Sequence, residues 1–206
     1  MDVRELRNTY NQIAKDYVID HGKDTWDDDY IKFFTDTLSK NARVLDLGCG
    51  PGIDSQKLVK YGLSVDGLDL SDELLAIAKK INPSLTFTQG DMRKLPYRDN
   101  KFEGVFAKAS LLHIPKKDMP KVINEIKRVL KPSGIVHIAI KGGEGEGELT
   151  ENDYGYMYSR FFSYWKMEDI LKILKDSGFT VLKQETWHRT EFSYSIWLKI
   201  IAKNKI

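Results

Sequence analysis

The segment Val44–Gly52 constrains the fold of this chain more than any other part of the sequence. It joins an apolar run to three glycines at alternate positions, Gly48, Gly50 and Gly52, and a helix-like segment follows. A buried strand that turns on glycines into a helix is typical of α/β proteins, because glycine allows a tight turn and a close approach of the backbone. The amides at the start of such a helix can receive an anionic group, so we predict a ligand site at this turn.

Strand-like and helix-like segments alternate along the rest of the chain, which predicts βαβ units and a mostly parallel sheet. The predicted strands are 43–47, 64–70, 85–88, 102–107, 135–140, 179–184 and 192–201. The predicted helices are 53–61, 72–81, 117–130 and 168–177, with two more helical stripes at 3–17 and 30–38. Residues 131–134 predict a turn. The alternating pattern of the last strand predicts a less buried antiparallel edge.

The composition is that of one globular protein without a strong charge bias. The 206 residues include 32 Lys and Arg against 30 Asp and Glu, a formal net charge of +2. A protein that neutralises many phosphates usually carries a larger excess of cations, so the charge disfavours nucleic acid as a partner. The single cysteine, Cys49, excludes an intrachain disulfide and fits the cytoplasm. We expect no membrane partner, because no apolar stretch approaches the roughly 18 residues of a span and no signal-peptide pattern is seen.

The spacing of the glycines separates two kinds of cofactor. A dinucleotide fingerprint has its third glycine three residues after the second, and that position is Ile53 here. The pattern Gly-x-Gly-x-Gly instead resembles the first motif of the class I S-adenosylmethionine-dependent methyltransferases. Asp46 matches the acidic residue that this family carries in the strand before the turn. The resemblance extends from about residue 10 to the C-terminus and implies a doubly wound, seven-stranded Rossmann-like α/β sheet with an antiparallel edge strand.

The resemblance also assigns two aspartates to the nucleoside of the cofactor. Asp69 ends the second predicted strand, where the family binds both ribose hydroxyls, and a carboxylate can accept from two vicinal hydroxyls at once. Asp66 competes for this role but lies in the middle of the strand. After the third strand, Asp91 matches the acidic residue beside the adenine amino group, and Met92 offers a soft apolar surface to the ring.

The junction after the fourth predicted strand resembles the one that runs along the methionine end of the cofactor in this family. Lys108 and Ala109 stand there, and Tyr17 matches the N-terminal helix that folds over the cofactor. The predicted cofactor contacts are Tyr17, Asp46, Gly48, Cys49, Gly50, Asp69, Leu70, Asp91, Met92, Lys108 and Ala109. His113 is a candidate general base, or a residue that only wedges the start of the next helix. No His, Cys and carboxylate spacing predicts a metal.

We expect a single domain, residues 1–206, built from four parts. These are an N-terminal helical cap (1–40), a cofactor-binding core (41–141), a mobile loop with an aromatic lid (142–166) and a C-terminal helix and strand pair (167–206). Four glycines and three carboxylates in residues 142–148 predict a segment without helix or strand. The aromatic run that follows either packs on the domain or covers an acceptor pocket.

The predicted function is methyl transfer from S-adenosylmethionine to a small-molecule acceptor, by in-line displacement at the sulfonium methyl. DNA-base enzymes of the family carry a Pro-Pro-aromatic motif where Lys108–Leu111 stands here, so a small acceptor with an apolar or aromatic body is favoured. A base is needed only if the acceptor must lose a proton. Two alternatives remain: an NAD-type oxidoreductase on a related fold, and a non-catalytic cofactor-binding module that acts on a protein or RNA partner.

Overall fold

The computed structural model describes residues 2–22, 25–189 and 195–205, which form one central sheet, its flanking helices and a separate hairpin. The helices are α1 (Val3–His21), α2 (Asp28–Asp36), α3 (Ile53–Lys60), α4 (Asp72–Ile81), α5 (Met119–Val129) and α6 (Met167–Asp176). The strands are β1 (Arg43–Leu47), β2 (Ser64–Asp69), β3 (Thr86–Gln89), β4 (Phe102–Lys108), β5 (Leu130–Lys141), β6 (Glu146–Glu151), β7 (Tyr158–Ser163), β8 (Phe179–Arg189) and β9 (Ser195–Asn204). None of the described helices is long and apolar enough to cross a membrane.

The central sheet has seven strands in the order β3-β2-β1-β4-β5-β9-β8, which confirms the predicted α/β architecture. The strands β3, β2, β1, β4 and β5 pair in parallel, and β9 pairs antiparallel with both β5 and β8. The predicted antiparallel edge strand is present, but it is β8 and not the last strand, because β9 runs between β5 and β8. Its residues from Trp197 to Ala202 are accordingly buried. Residues 192–194 of the predicted strand lie outside the described residues.

The two faces of the sheet are covered by different helices, because successive side chains of a strand point to opposite faces. On β1, Leu45 and Leu47 pack in the same cluster as α5 and α6. Val44, the residue before Leu45, packs with α2 and α3 on the other face. The sheet is therefore doubly wound, as the resemblance implied.

The start of β5 differs from the prediction. Residues 131–134, predicted as a turn, belong to β5. Ser133 has a φ of 63°, and the pairing with β4 shifts register between Phe102 and Gly104. The turn-forming residues therefore produce an irregularity at the start of the strand without ending the pairing.

The glycine-rich segment also holds more structure than its composition predicts. Residues 146–148 begin β6, which pairs antiparallel with β7, so the expectation that 142–148 contains no strand is wrong. Strand pairing uses backbone amides and carbonyls, and cross-strand contacts of Thr150 with Ser159 and of Glu151 with Arg160 add to it. Only the first residues of the segment form a turn, where Gly143 and Gly145 have positive φ.

The β6–β7 hairpin packs against the N-terminal helix. The Thr9 hydroxyl of α1 donates to the Ser159 carbonyl at 2.9 Å, and the Tyr156 hydroxyl donates to the Asp16 carboxylate at 2.6 Å. Helix α1 and the hairpin together cover the carboxyl ends of the parallel strands, where ligand sites of open α/β sheets lie.

Candidate active site

Two adjoining cavities lie under α1 and the hairpin. The first, of about 240 Å³, lies at the ends of β1, β2 and β3, and the second, of about 290 Å³, extends toward β4, β5 and β9. Their walls share Tyr10, Tyr17, Gly48, Gly50, Ala109 and His113. The two cavities therefore meet above the glycine turn.

The structure brings most of the predicted site residues to these cavities. The first is lined by Tyr17, Gly48, Gly50, Asp69, Leu70, Asp91, Met92, Ala109 and His113, and the second also by Cys49 and Lys108. Asp46 is the exception among these described residues, since it lines neither cavity. Its carboxylate accepts a hydrogen bond of 2.5 Å from the Ser55 hydroxyl of α3, and burial with the nearby Asp54 charge raises its pKa to about 7. Asp46 thus ties α3 to β1 behind the turn.

The backbone amides of the glycine turn donate hydrogen bonds to the end of β2. The amides of Gly48 and Cys49 donate to the Leu68 carbonyl at 2.7 and 3.0 Å, and the Gly50 amide donates to Asp69 Oδ2 at 2.8 Å. These amides are occupied within the protein, so the amides predicted to receive an anionic group are those at the start of the following helix, α3. Within the described chain, the Ile53 and Asp54 amides at the start of α3 have no acceptor, and both residues line the second cavity.

The two glycines of the turn serve different purposes. A Cβ on Gly48 would lie 2.3 Å from Ser110 Cβ, so this residue lets β1 and the segment after β4 approach closely. A Cβ on Gly50 would meet nothing within 4 Å. Its φ of 51° requires a left-handed backbone that glycine adopts without strain.

Asp69 lies at the end of β2, and its carboxylate has hydrogen-bond acceptor positions that the protein does not use. Its Oδ1 accepts from the Ser71 amide and its Oδ2 from the Gly50 amide, each at 2.8 Å. A carboxylate offers about four acceptor positions, so further donors can bind from the cavity side. Burial raises the pKa of Asp69, while the two amides oppose that rise. Asp66, the competing choice, is buried in ion pairs with Arg43 and Lys101.

The Asp91 carboxylate forms an ion pair with Arg93, a residue that was not predicted to belong to the site. The Arg93 guanidinium forms a fork with its two oxygens at 2.7 to 3.1 Å, and it also reaches Asp118. Burial raises the pKa of Asp91, but the hydrogen bonds from Arg93 outweigh it and lower the pKa below its usual range. Arg93 and Met92 line the first cavity beside Asp91. The fork holds this carboxylate ionised and fixed in place.

His113 is bonded on both ring nitrogens. Its Nδ1 lies 2.6 Å from the Phe161 carbonyl of β7, and its Nε2 lies 2.6 Å from the Tyr10 hydroxyl of α1. A carbonyl only accepts, so Nδ1 carries the proton and Tyr10 donates to Nε2. Burial, together with the charges of Arg160 and Lys141, lowers the pKa of His113 to about 3, although the hydrogen bond to the Phe161 carbonyl opposes this change. The imidazole is therefore neutral and joins α1 to the hairpin.

Cations and indole rings line the second cavity. Lys108 Nζ forms an ion pair of 3.0 Å with Asp54 and lies 5.1 Å from the centroid of the Trp26 ring. Arg160 and Lys141 approach from β7 and β5. Trp26, Trp197 and Phe162 complete an aromatic wall. Lys108 was predicted as a site residue, and Phe162 belongs to the aromatic run that was predicted to pack on the domain or to cover an acceptor pocket. The other residues of this wall were not predicted, although Lys141 ends a parallel strand at the edge where ligands bind.

The fold is that of a Rossmann-like α/β protein, with two adjoining cavities at the carboxyl ends of its parallel strands, where ligands of such sheets bind. A model of the methyltransferase domain family matches residues 44–134. The putative methyltransferase YqeM of Bacillus subtilis is 32% identical over 171 residues, which cover 79% of this chain and 69% of that protein. The chain therefore belongs to the class I S-adenosylmethionine-dependent methyltransferases.

Two further comparisons concern acceptors. The sterol 24-C-methyltransferase ERG6B of Gibberella zeae is 28% identical over 188 residues, but the match covers 78% of this chain and only 45% of that enzyme. The 1,6-didemethyltoxoflavin-N1-methyltransferase of Burkholderia thailandensis was solved with its substrate and S-adenosylhomocysteine. It shares the fold with a TM-score of 0.73 at 18% identity, over 100% of this chain and 92% of that one. Family membership favours S-adenosylmethionine over the NAD cofactor that the sequence left open.

Proposed function

We propose that the protein methylates a small molecule held in the second cavity, with S-adenosylmethionine in the first. The observation that carries the proposal is the meeting of the two cavities at Gly48, Gly50 and Ala109. A cavity of about 290 Å³ lies near the lower end of the range for small-ligand sites and is far smaller than a nucleic-acid or protein interface. The ERG6B and toxoflavin enzymes, named for small acceptors, support the same class of substrate.

The first cavity fits the nucleoside part of the cofactor. Asp69 has acceptor positions left for two vicinal hydroxyls, and the open space beside Gly50 admits a close ligand. We assign Leu70 and Met92 to the faces of the adenine ring and Asp91 to its amino group. Tyr17 and Ala109, which line both cavities, then border the ligand where the cavities meet.

The methionine part would lie above the glycine turn. There the unpaired amides of Ile53 and Asp54 suit a carboxylate, in place of the loop amides that β2 occupies. The Gly48 carbonyl, to which no described residue donates, suits an ammonium group. We assign Cys49 and Lys108 to this region as neighbours of the ligand, and Asp46 to support of the turn from behind.

The residues of this chain contribute alignment and exclusion of water. When bound, S-adenosylmethionine supplies a methyl group already activated by its sulfonium. The chain then has to orient the acceptor atom and cover the site, which α1 and the hairpin do. Because Tyr10 occupies the free lone pair of His113, we propose that this histidine positions the cover and is not the general base.

Calorimetry with S-adenosylhomocysteine tests the cofactor site directly. The intact protein should bind it saturably, Asp69→Ala should weaken binding, and the exposed control Asp36→Ala should not. A homocysteine-release screen against metabolite extracts, followed by mass spectrometry for a gain of one methylene, tests turnover. Absence of binding by the intact protein contradicts the proposal, and binding without turnover across a broad panel favours the non-catalytic module.

We also propose a cytoplasmic location. The single cysteine, Cys49, is buried beside the glycine turn, and burial raises the pKa of its thiol well above the usual value. A buried, unreactive thiol with no disulfide partner in the chain is compatible with a reducing compartment.

A further inference from the structure

Lys141 occupies a distinctive place in the second cavity. It is the last residue of β5, and its partly buried side chain lines the cavity wall. Its Nζ lies 4.3 Å from the centroid of the Phe162 ring. Among the described residues, no carboxylate lies within ion-pairing distance of this ammonium group.

The other two cations of the cavity have carboxylate partners. Lys108 pairs with Asp54 at 3.0 Å. Arg160 donates from Nε and a terminal nitrogen to the two oxygens of Glu151, at 2.7 and 2.6 Å. Lys141 therefore adds a positive charge that no carboxylate in the described part of the chain neutralises at short range.

Burial and a neighbouring cation both disfavour the charged form of Lys141. Burial lowers the pKa of Lys141, and the neighbouring Arg160 charge lowers it further, with partial compensation from Glu151. A buried charge is normally paired, because the protein interior replaces little of its hydration. An anionic ligand group in the cavity would supply the missing partner and also face Arg160.

The carboxylates of the cavity do not offer an equivalent cation site. Asp153 accepts from the Tyr158 hydroxyl at 3.2 Å, and Asp20 lies 3.5 Å from the Tyr154 hydroxyl and 3.4 Å from His21. Phenol groups thus already contact both of these acids. Among the described residues that line the cavity, the charged group with neither an ion-pair nor a hydrogen-bond partner is the ammonium group of Lys141.

The position of Lys141 also separates it from the cofactor. It lines the second cavity only, and β4 lies between β5 and the glycine turn of β1. Lys108, at the end of β4, is the cation nearest in sheet order to that turn. A group bound at Lys141 would therefore belong to the acceptor.

We infer that the acceptor of the proposed methyl transfer carries a carboxylate or phosphate group, and that this group binds Lys141 beside an aromatic wall of Trp26, Phe162 and Trp197. The inference rests on the proposed function and narrows its substrate class. The apolar or aromatic body expected of the acceptor would pack on the rings while the anionic group meets the ammonium.

Small aromatic probes test this inference on the intact 206-residue chain saturated with S-adenosylhomocysteine. Binding of phenyl phosphate, benzoate and benzylamine would be measured by calorimetry in phosphate-free buffer. One or both anions should bind saturably, and benzylamine should bind far more weakly. The anion with the higher affinity shows whether the site prefers a phosphate or a carboxylate. Lys141→Met should weaken anion binding about tenfold or more, because a charge-assisted hydrogen bond is lost.

Control variants keep the outcomes distinct. Lys141→Arg should retain most of the anion affinity, and Lys175→Met, which removes an exposed lysine of α6, should change nothing. Each variant should still bind S-adenosylhomocysteine like the wild type. Equal or tighter binding of benzylamine, no binding of either anion, or unchanged anion binding in Lys141→Met overturns the inference. Failure of the wild type to bind S-adenosylhomocysteine would instead overturn the proposed function.

Discussion

The two cavities share six wall residues but are assembled in different ways. The first takes most of its walls from short segments that directly follow β1, β2, β3 and β4, with α1 above them. The second brings Trp26, Lys141, Arg160 and Trp197 together from four distant parts of the chain. A cofactor shared by a whole family can be held by local motifs at strand ends, whereas the acceptor pocket depends on added elements that differ between members.

The chemistry of the two cavities differs in the same way. Apolar side chains such as Leu6, Leu70 and Met92 dominate the first, and its acid Asp69 is held by backbone amides. The second contains three cations and an aromatic wall. Substitutions on one side should therefore leave the ligand of the other side largely unaffected.

The largest effect is expected at the turn that both cavities share. Gly48→Ala places a Cβ 2.3 Å from Ser110 Cβ, far inside van der Waals contact, and imposes a φ of 77° on alanine. We expect a loss of about 3 kcal/mol in the free energy of unfolding, from strain and overpacking together. The control Gly62→Ala has similar φ but open space, so it should lose only about 1 kcal/mol. Equal losses in urea denaturation would contradict the packing role of Gly48.

The next effect separates the cofactor side from the acceptor side. Asp69→Asn keeps the size of the side chain but replaces one acceptor oxygen by a donor that faces an amide. Affinity for S-adenosylhomocysteine should fall roughly 30-fold, the equivalent of about 2 kcal/mol. Asp36→Asn on the surface is the matched control for calorimetry. An unchanged affinity in Asp69→Asn would contradict the assignment of Asp69 to the ribose hydroxyls of the cofactor.

His113 should give the protein a measurable acid sensitivity. Its folded pKa of about 3 lies below the ordinary value near 6.5, so the unfolded chain binds the extra proton first as pH falls. The contribution of neutral His113 is complete above pH 6.5 and is lost progressively toward pH 3. Between pH 7 and 5 the free energy of unfolding should drop by up to about 2 kcal/mol from this group.

His113→Gln should lose that part of the pH dependence. His188→Gln, at an exposed position of β8, should keep it. Parallel urea titrations at pH 7 and pH 5 measure the difference. The same slope in wild type and His113→Gln would show that the histidine does not remain neutral in the folded protein.

The smallest effect concerns the cover over both cavities. Thr9→Val removes the hydrogen bond from α1 to the Ser159 carbonyl, and Thr9→Ser retains it. We expect a two- to fivefold loss of S-adenosylhomocysteine affinity in the valine variant, from a bond worth about 0.5–1 kcal/mol. The serine variant should bind like the wild type. Equal affinities for all three proteins would mean that this contact does not hold the cover in place.

The sequence predicted the parts of the molecule that local rules determine. Gly48, Asp69 and Asp91 follow apolar runs, and parallel strand ends meet at one edge, so their convergence could be expected. The engagement of the loop amides by Leu68 and Asp69 could not, because it depends on how closely β1 and β2 approach at the turn.

The errors have a common physical origin. Composition predicted no strand in residues 146–148, but backbone pairing with β7, supported by its contacts with α1, overrides a weak local preference. Alternation predicted an edge position for the last strand, although strand order depends on pairing between distant segments. The roles of Lys141 and Arg160 were missed for the same reason, since no short-range pattern places them together.

A crystal structure of the complex with S-adenosylhomocysteine would test the division between the two cavities most directly. We predict the nucleoside in the first cavity, its ribose hydroxyls on Asp69, and the sulfur pointing past Gly48 and Ala109 into the second cavity. A nucleoside found against Lys141 and Trp197, or ribose hydroxyls that do not contact Asp69, would contradict the account.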